Sequence, residues 1–239
     1  MSENEARQEE SFFQSKPFRM VLALVSIIVV ATLALEAAYF ATQNTIEANR
    51  LTTIRKNVLR VLGYYDDYQA SGQALEDYFA ARVEVQTFDN AGKAMSVWLG
   101  RGDDGALSGV VVRLTGGGFQ GIVDVVVGLS ADLAQTTGFE VIESGETPGL
   151  GDEMRQCKIE GDFASTPPEK CFKKWFYNGI STEPILDYVK YKAPDRDNQF
   201  TAITGATYTS TAIKRFFNAA LAKLRELKDA GALTLSGNS

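Results

Sequence analysis

The longest apolar run of the sequence lies near its start, from Met20 to Ala41, and Glu36 is its only charged residue. At about 1.5 Å per residue, a helix of this length spans roughly 33 Å, close to the thickness of a bilayer core. Pro17 precedes the run, at a position that the start of a helix tolerates. A cleaved signal peptide is the alternative, but the run is long for one and Glu36 interrupts a cleavage site. We therefore predict a retained transmembrane helix over residues 18–41.

Beyond the membrane segment, hydrophobic residues recur at helical spacing between residues 43 and 62, and Gly63 follows them. This spacing predicts a stalk helix over residues 42–63 that continues from the membrane and stops at the glycine. The polar and aromatic sequence YYDDY at 64–68 predicts a connection. A short helix is expected around residues 73–81.

Between residues 82 and 144, β-branched residues form short runs that glycines separate, which is the pattern of strands. The runs are RVEVQTFD, MSVWLG, ALSGVVVRL, GIVDVVVGLS and TGFEVIES, and ILDYVKY at 185–191 is a further strand candidate. Residues 209–231 predict a helix, because Ile213, Phe217 and Leu221 share an apolar face and threonine and serine residues offer caps. The pattern predicts an α+β fold, a twisted antiparallel sheet with helices packed on it.

Composition and charge narrow the possible functions. The chain has 239 residues, of which 45% are hydrophobic, enough for one folded domain outside the membrane. The net charge is −6 and no basic stripe with interleaved aromatic residues occurs, so the sequence argues against nucleic-acid binding. The absence of histidine removes histidine-based acid–base catalysis and haem ligation. We expect neither a catalytic residue nor a metal site in this chain.

The chain contains two cysteines, Cys157 and Cys171. Two thiols cannot by themselves hold an iron–sulfur cluster or a structural zinc ion. A disulfide between them would close a loop of about fifteen residues and contribute roughly 3 kcal/mol in the chain-entropy model. It would also place the domain in an oxidising compartment. Two unrelated buried thiols are the alternative.

The sequence GGGFQG at 116–121 matches the G-x-G-x-x-G pattern of dinucleotide-binding loops. Such a loop must open a helix, whose N-terminus takes the pyrophosphate. Here the strand-like run IVDVVVGL follows instead, so we reject dinucleotide binding. The glycines predict a tight bend or a bulge, at which Phe119 offers a stacking face to a ligand lying close to the backbone.

Two further motifs suggest a ligand site. In ETPGLG (146–151), Pro148 fixes one backbone angle, while Gly149 and Gly151 allow a planar ring to approach bare peptide groups. An ordinary turn is the alternative. TGATYTS (204–210) leads into the last predicted helix, where free N–H groups and the helix dipole favour an anion. A hydroxyl-rich N-cap explains the second motif equally well.

ETPGLG followed by TGATYTS, behind one N-terminal membrane span, resembles the FMN-binding subunits of two related ion-pumping complexes. They are the G subunit of the Rnf ferredoxin:NAD+ oxidoreductase and the C subunit of the sodium-translocating NADH:quinone oxidoreductase. The resemblance covers roughly residues 18–225, and AITGAT and the short chain favour the Rnf type. In this family the last threonine of [ST]-G-A-T carries FMN as a phosphoester, installed by a dedicated flavin transferase. That residue is Thr207 here.

The resemblance also implies which residues lie around the flavin. Phe119 and Lys190 stand where the family has an aromatic and a basic residue, and Thr201 replaces an aspartate that usually precedes the modified threonine by six positions. This replacement leaves open how the transferase recognises the segment. The other implied FMN-binding residues come from the two motifs: Glu146, Thr147, Gly149, Leu150, Gly151, Thr204, Gly205, Ala206 and Thr209.

The resemblance implies an electron-transfer subunit of a bacterial inner-membrane complex, coupled to sodium or proton transport. Its partners would be the other subunits, the flavin transferase and membrane lipid. Residues 1–17 would form a cytoplasmic tail, residues 64–230 a periplasmic FMN-binding domain, and residues 231–239 a C-terminal tail. Positive charges nearly balance across the span, so this orientation rests on the resemblance and the cysteine pair. The alternative from another class is an anchored module without redox function, in which both motifs are merely turns.

Overall fold

The computed structural model describes residues 16–90, 93–155 and 171–233. Three helices come first: α1 (Lys16–Val61), α2 (Tyr65–Ser71) and α3 (Leu75–Arg82). Five strands follow: β1 (Val83–Asn90), β2 (Lys93–Arg101), β3 (Leu107–Gly117), β4 (Ile122–Ser130) and β5 (Thr136–Ser144). After a 3₁₀ turn come the remaining elements: α4 (Phe172–Tyr177), β6 (Asp187–Val189), β7 (Gln199–Thr201) and α5 (Thr207–Asp229).

Helix α1 contains both the predicted membrane segment and the predicted stalk without a break. Among the described residues it is the one helix long and apolar enough to cross a membrane, and none of its most apolar window is buried inside the protein. The chain forms two compact units, residues 1–50 and 51–239, so the last turns of α1 belong to the second unit. Past the end of the helix, Gly63 adopts a left-handed backbone with φ of 78°, as a C-terminal stop requires.

The second unit is built on an antiparallel sheet whose strands follow chain order from β1 to β5. Successive residues of a strand point to opposite faces of the sheet, so the continuous valine run of β3 is explained by burial on both sides. This arrangement of a sheet with packed helices confirms the predicted α+β class. The GGGFQG sequence forms the turn between β3 and β4, where the Gly118 amide donates to the Gly121 carbonyl at 2.8 Å.

Each face of the sheet has its own hydrophobic core. On one face, β-strand residues pack against α4 and α5, and four phenylalanines lie at its centre: Phe139, Phe176, Phe200 and Phe217. On the other face, the end of α1 packs through Val58 and Val61 against Trp98 and Val126. The α1 end is also hydrogen-bonded to β5, because Thr137 Oγ1 donates to the Val61 carbonyl at 2.8 Å.

Several elements differ from the sequence-based predictions. Part of the expected 64–68 connection is the start of α2, and the aromatic run after Cys171 forms α4. Strands β6 and β7 pair in parallel as a small separate sheet, since each is too short for its pattern to reveal a partner. These elements depend on contacts with distant parts of the chain.

Helix α5 begins at Thr207, two residues before the predicted start, and its N-cap is Ala206 without a side-chain hydrogen bond. The predicted threonine or serine cap is therefore wrong. The Ser210 hydroxyl instead lies inside the first turn, where it accepts from the Ile203 amide at 2.9 Å and donates to the Ala206 carbonyl at 3.1 Å. These bonds fix the TGAT segment from the helix side.

The predicted disulfide falls partly on residues that the structure does not describe. Cys171 directly precedes α4, is buried and carries no free thiol. Cys157 lies outside the described residues. The pairing of the two cysteines stays a prediction.

Candidate functional site

Three segments that are far apart in sequence meet at the first turn of α5. They are the β3–β4 turn (118–121), the ETPGLG loop (146–151) and the TGAT segment (204–207). Glu146 connects the first two to the helix: its Oε1 accepts from the backbone amides of Gln120 at 3.0 Å and Gly121 at 3.2 Å, and its Oε2 accepts from Thr209 Oγ1 at 2.5 Å. The structure thus brings three segments that are far apart in the sequence together at one buried carboxylate.

The Glu146 carboxylate is buried and yet ionised. Burial raises the pKa of this carboxyl, but the hydrogen bonds from Thr209 and from the amides of Gln120, Gly121 and Phe119 outweigh that effect, so the pKa lies below its ordinary value of 4.5. The stability gained from the ionised form is therefore present above pH 4.5 and is lost as the pH falls through the lower folded-state pKa.

Glycines leave the room that the Glu146 carboxylate occupies. A Cβ atom added at Gly118 would overlap Oε1 of Glu146, and one added at Gly151 would overlap Oε2. Gly149 and Gly205 are required for another reason, because their φ values of 77° and 75° lie in the left-handed region that favours glycine. In ETPGLG, Gly149 thus permits the turn and Gly151 leaves space for the buried carboxylate.

We expect Gly121→Ala to lower the free energy of unfolding by about 1–3 kcal/mol. The new methyl group would overlap the backbone of Gly145, and a backbone cannot move aside as a flexible side chain can. Gly117→Ala is the matched control, since a Cβ there meets nothing within 4 Å. Denaturant unfolding of the full chain in detergent measures the free energy of unfolding of both variants. Equal stability of the two variants would contradict the packing argument.

A cleft of about 410 Å³ lies between the PGLG turn and the TGAT segment. Its walls are formed by residues of the two motifs, the 3₁₀ turn, α4 and the end of β7: Gly149, Leu150, Glu153, Cys171, Phe172, Trp175, Thr201, Ala202, Ile203, Thr204 and Gly205. Leu150 is 43% exposed and lies over Gly205, where an added Cβ would approach its Cδ2 to 2.9 Å. The size and the mixed apolar and backbone lining suit a planar organic ligand.

Thr207 is the half-buried first residue of α5 and stands two residues after Gly205, the last residue of this cleft lining. The hydroxyls of the three residues that follow Tyr208 are engaged in hydrogen bonds. Thr209 and Ser210 are fully buried and hydrogen-bonded, and Thr211 Oγ1 donates to the Thr207 carbonyl at 2.8 Å. Thr204 and Thr207 therefore remain the accessible threonines of the TGAT segment.

Phe119 and Tyr208 form an exposed aromatic pair beside Thr207. Their ring centroids lie 5.5 Å apart, and the side chains are 71% and 72% exposed. Thr147 is bound to the same turn, because its hydroxyl donates to Gln120 Oε1. Lys190 is exposed at the residue after β6 and does not contribute to the described cleft lining.

Sequence reasoning missed several residues of this site, among them the aromatic residues Tyr208 and Trp175. Tyr208 fills the variable position of the TGATYTS motif, and only its place next to Thr207 hinted at a role. Trp175 lies on α4, in a segment for which no element was predicted. The aromatic run CFKKWFY was the available signal, but its contact with the cleft depends on the tertiary fold.

Comparisons with known proteins match the part of the chain that contains these segments. Residues 118–222 match the profile of the FMN-binding domain, and this range contains all three site segments. The Shewanella oneidensis NqrC crystal structure shares the fold, with a TM-score of 0.56 and 19% sequence identity over 73% of this chain and 93% of that chain.

Two relatives represent the two kinds of complex. The G subunit of the Na(+)-translocating ferredoxin:NAD(+) oxidoreductase complex of Acetobacterium woodii is 30% identical over 198 residues, or 82% of this chain and 86% of the relative. The C subunit of the Na(+)-translocating NADH-quinone reductase of Yersinia pestis is 22% identical, and the match covers 91% of each chain. This chain therefore belongs to the family of FMN-binding subunits of ion-translocating oxidoreductase complexes.

Proposed function

We propose that the chain carries FMN as a phosphoester of the Thr207 hydroxyl. The observation that carries this proposal is the position of Thr207: it is the half-buried first residue of α5, two residues after Gly205 of the cleft lining. A phosphodiester keeps one negative charge, which the free amides and the dipole at a helix N-terminus stabilise. Thr204 is exposed in the preceding turn and lacks this support.

Formation of the ester changes the Thr207 side chain alone. Its hydroxyl loses a proton, its oxygen bonds to phosphorus, and a leaving group departs from an activated flavin nucleotide held by the flavin transferase. Thr209 is an unsuitable acceptor, because it is fully buried and its hydroxyl donates to Glu146. The burial of Thr209 thus argues against it as the hydroxyl that the transferase modifies.

The residues around Thr207 fit a flavin. Leu150 and Trp175 offer apolar contacts within the cleft, and the bare backbone at Gly149 and Gly205 permits close approach of a ring. When bound, FMN supplies one-electron transfer, and the protein supplies position and electrostatics. Phe119 and its neighbour Tyr208 extend the apolar surface on the side of the β3–β4 turn.

We propose that this chain transfers electrons between neighbouring redox subunits of an Rnf-type complex. The 30% identity to the Acetobacterium woodii protein over most of both chains supports this assignment. The C subunit of a sodium-translocating NADH:quinone oxidoreductase is the alternative, supported by the lower identity to the Yersinia pestis protein. Purification of the intact complex distinguishes them: a ferredoxin-type iron–sulfur protein among the partners supports the first, and a quinone-reducing partner supports the second.

The test of covalent attachment is peptide mapping of the purified, denatured chain. We expect flavin fluorescence on a denaturing gel and an FMN mass addition on the peptide that contains Thr207. A colourless chain without this fluorescence would instead support an anchored module without redox function. An adduct on Thr204 would move the site to the preceding turn.

For orientation, we propose that the domain from about Gln43 onward is periplasmic. The family resemblance and the expected disulfide support this side of the membrane. Electrons from a cytoplasmic donor would then have to cross the bilayer, so another subunit must hold a cofactor within the membrane.

We expect a C-terminal reporter that works only in the periplasm to be active, and the denatured, unreduced chain to show no labelled thiol. A C-terminal reporter that is active only in the cytoplasm would overturn the topology. Two readily labelled thiols in protein kept from reductant would contradict the Cys157–Cys171 disulfide.

A further inference from the structure

Glu146 is the one residue of the ETPGLG loop whose carboxylate connects all three segments of the site. It accepts hydrogen bonds from two backbone amides of the β3–β4 turn and from one hydroxyl in the first turn of α5. The residue is 6% exposed. Its hydroxyl donor, Thr209, stands two residues after Thr207 on the same turn. The position of Thr207 relative to the loop is therefore linked to a single buried carboxylate.

A buried charge is costly unless hydrogen bonds replace its hydration. In the described part of the chain the hydrogen-bond donors to the Glu146 carboxylate are neutral: the hydroxyl of Thr209 and the amides of Gln120 and Gly121. Hydrogen bonds to an ionised acceptor are roughly twice as strong as bonds between neutral groups. Three donors directed at one carboxylate thus form a strong and directional junction, which an apolar side chain could not replace.

We propose that Glu146 is a positioning residue that holds the flavin-acceptor turn in place, acting through Thr209 and the β3–β4 turn before the flavin is attached. The proposal rests on the proposed attachment at Thr207. It assigns Glu146 and Thr209 a role inside the protein rather than contact with the flavin. Gly118 and Gly151 belong to the same arrangement, because a side chain at either would displace the carboxylate.

The test compares Thr209→Val, which keeps the shape of the side chain and removes its hydroxyl, with Thr209→Ser, which keeps the hydroxyl. Glu146→Gln is the second variant, because it keeps the size and removes the charge. The full chains are produced together with the flavin transferase, and FMN occupancy at Thr207 is measured by mass spectrometry at early times. We expect Thr209→Val and Glu146→Gln to slow incorporation by about tenfold or more, and Thr209→Ser to stay near the parent rate.

A second measurement needs no flavin. Hydrogen exchange is followed in the Thr207→Val background, where the amides of Gln120 and Gly121 are expected to exchange about tenfold faster with Glu146→Gln than without it. The difference in melting temperature between Glu146→Gln and its parent should also shrink as the pH falls from 4.5 through the lower folded-state pKa of Glu146, at which the parent becomes protonated.

Each outcome decides the proposal. Unchanged exchange at Gln120 and Gly121 would show that Glu146 does not hold the turn, whether or not flavin is present. Faster exchange with unchanged FMN incorporation would reduce Glu146 to a structural residue and overturn the positioning role. A parent chain without covalent flavin would instead refute attachment at Thr207, and the exchange data would still report on the junction.

Discussion

Thr207→Val is expected to carry no covalent FMN while retaining its fold. Valine keeps the branched shape of threonine at a half-buried position but lacks the oxygen that must bond to phosphorus. The backbone carbonyl of residue 207, which accepts from the Thr211 hydroxyl, is unaffected by the change. Mass spectrometry of the intact variant should show complete loss of the flavin mass, and its melting temperature in detergent should remain close to that of the parent.

The neighbouring threonines supply the controls for this variant. Thr204→Val should keep the full FMN adduct, because Thr204 is exposed and precedes the helix. Thr207→Ser should also keep it if the transferase needs a hydroxyl rather than a particular side chain. An FMN adduct that persists in Thr207→Val would contradict the assignment, and peptide mapping would then locate the residue that carries it.

The second large effect is expected at the ion pair that fixes α4 to the sheet. Lys173 Nζ lies 2.6 Å from Glu140 Oε2, and both residues are buried. Tyr177 donates its hydroxyl to Glu140 Oε1 at 3.1 Å, and burial followed by the charge of Glu140 raises its pKa well above the usual value. Lys173→Met should lower the free energy of unfolding by about 3–5 kcal/mol, because it leaves the Glu140 charge buried without its partner.

An exposed pair and a double variant make this prediction specific. Lys223 lies 2.7 Å from Glu226 on the surface of α5, so Lys223→Met should cost no more than about 1 kcal/mol. Combining Lys173→Met with Glu140→Gln removes both charges and keeps an acceptor for Tyr177, so it should recover much of the lost stability. If denaturant unfolding gave the same cost for Lys173→Met and Lys223→Met, the buried pair would not hold α4.

Residue patterns with a clear period predicted the large elements of this protein. The β-branched runs between residues 82 and 144 became β1 to β5, because runs of β-branched residues bounded by glycines identify strands without knowledge of their neighbours. The apolar face of α5 was equally visible. Short elements could not be recognised in the sequence. Helix α4 has six residues and no capping side chain, and its stability comes from contacts such as that of Lys173 with Glu140.

In the candidate site, too, some features could be predicted from local sequence and others depend on tertiary contacts. The motifs ETPGLG and TGAT were recognisable from local chemistry, since glycines that permit close approach and hydroxyls before a helix are properties of short segments. That Thr207 rather than Thr209 is accessible could not be read from the motif, because both are threonines two residues apart. Burial of Thr209 and its bond to Glu146 distinguish them.

By itself, the sequence determined the membrane-length helix, the α+β class, the family and the segment that contains Thr207. Each of these depends on composition or on residues near one another in the chain. The tertiary structure alone decided that the β3–β4 turn, the ETPGLG loop and the first turn of α5 meet around the Glu146 carboxylate. Glu146 and Thr209 are 63 positions apart, and a single polar residue at each place carries no periodic signal of its partner. Such a contact is specified by how the sheet and α5 pack together, and only the folded chain reveals it.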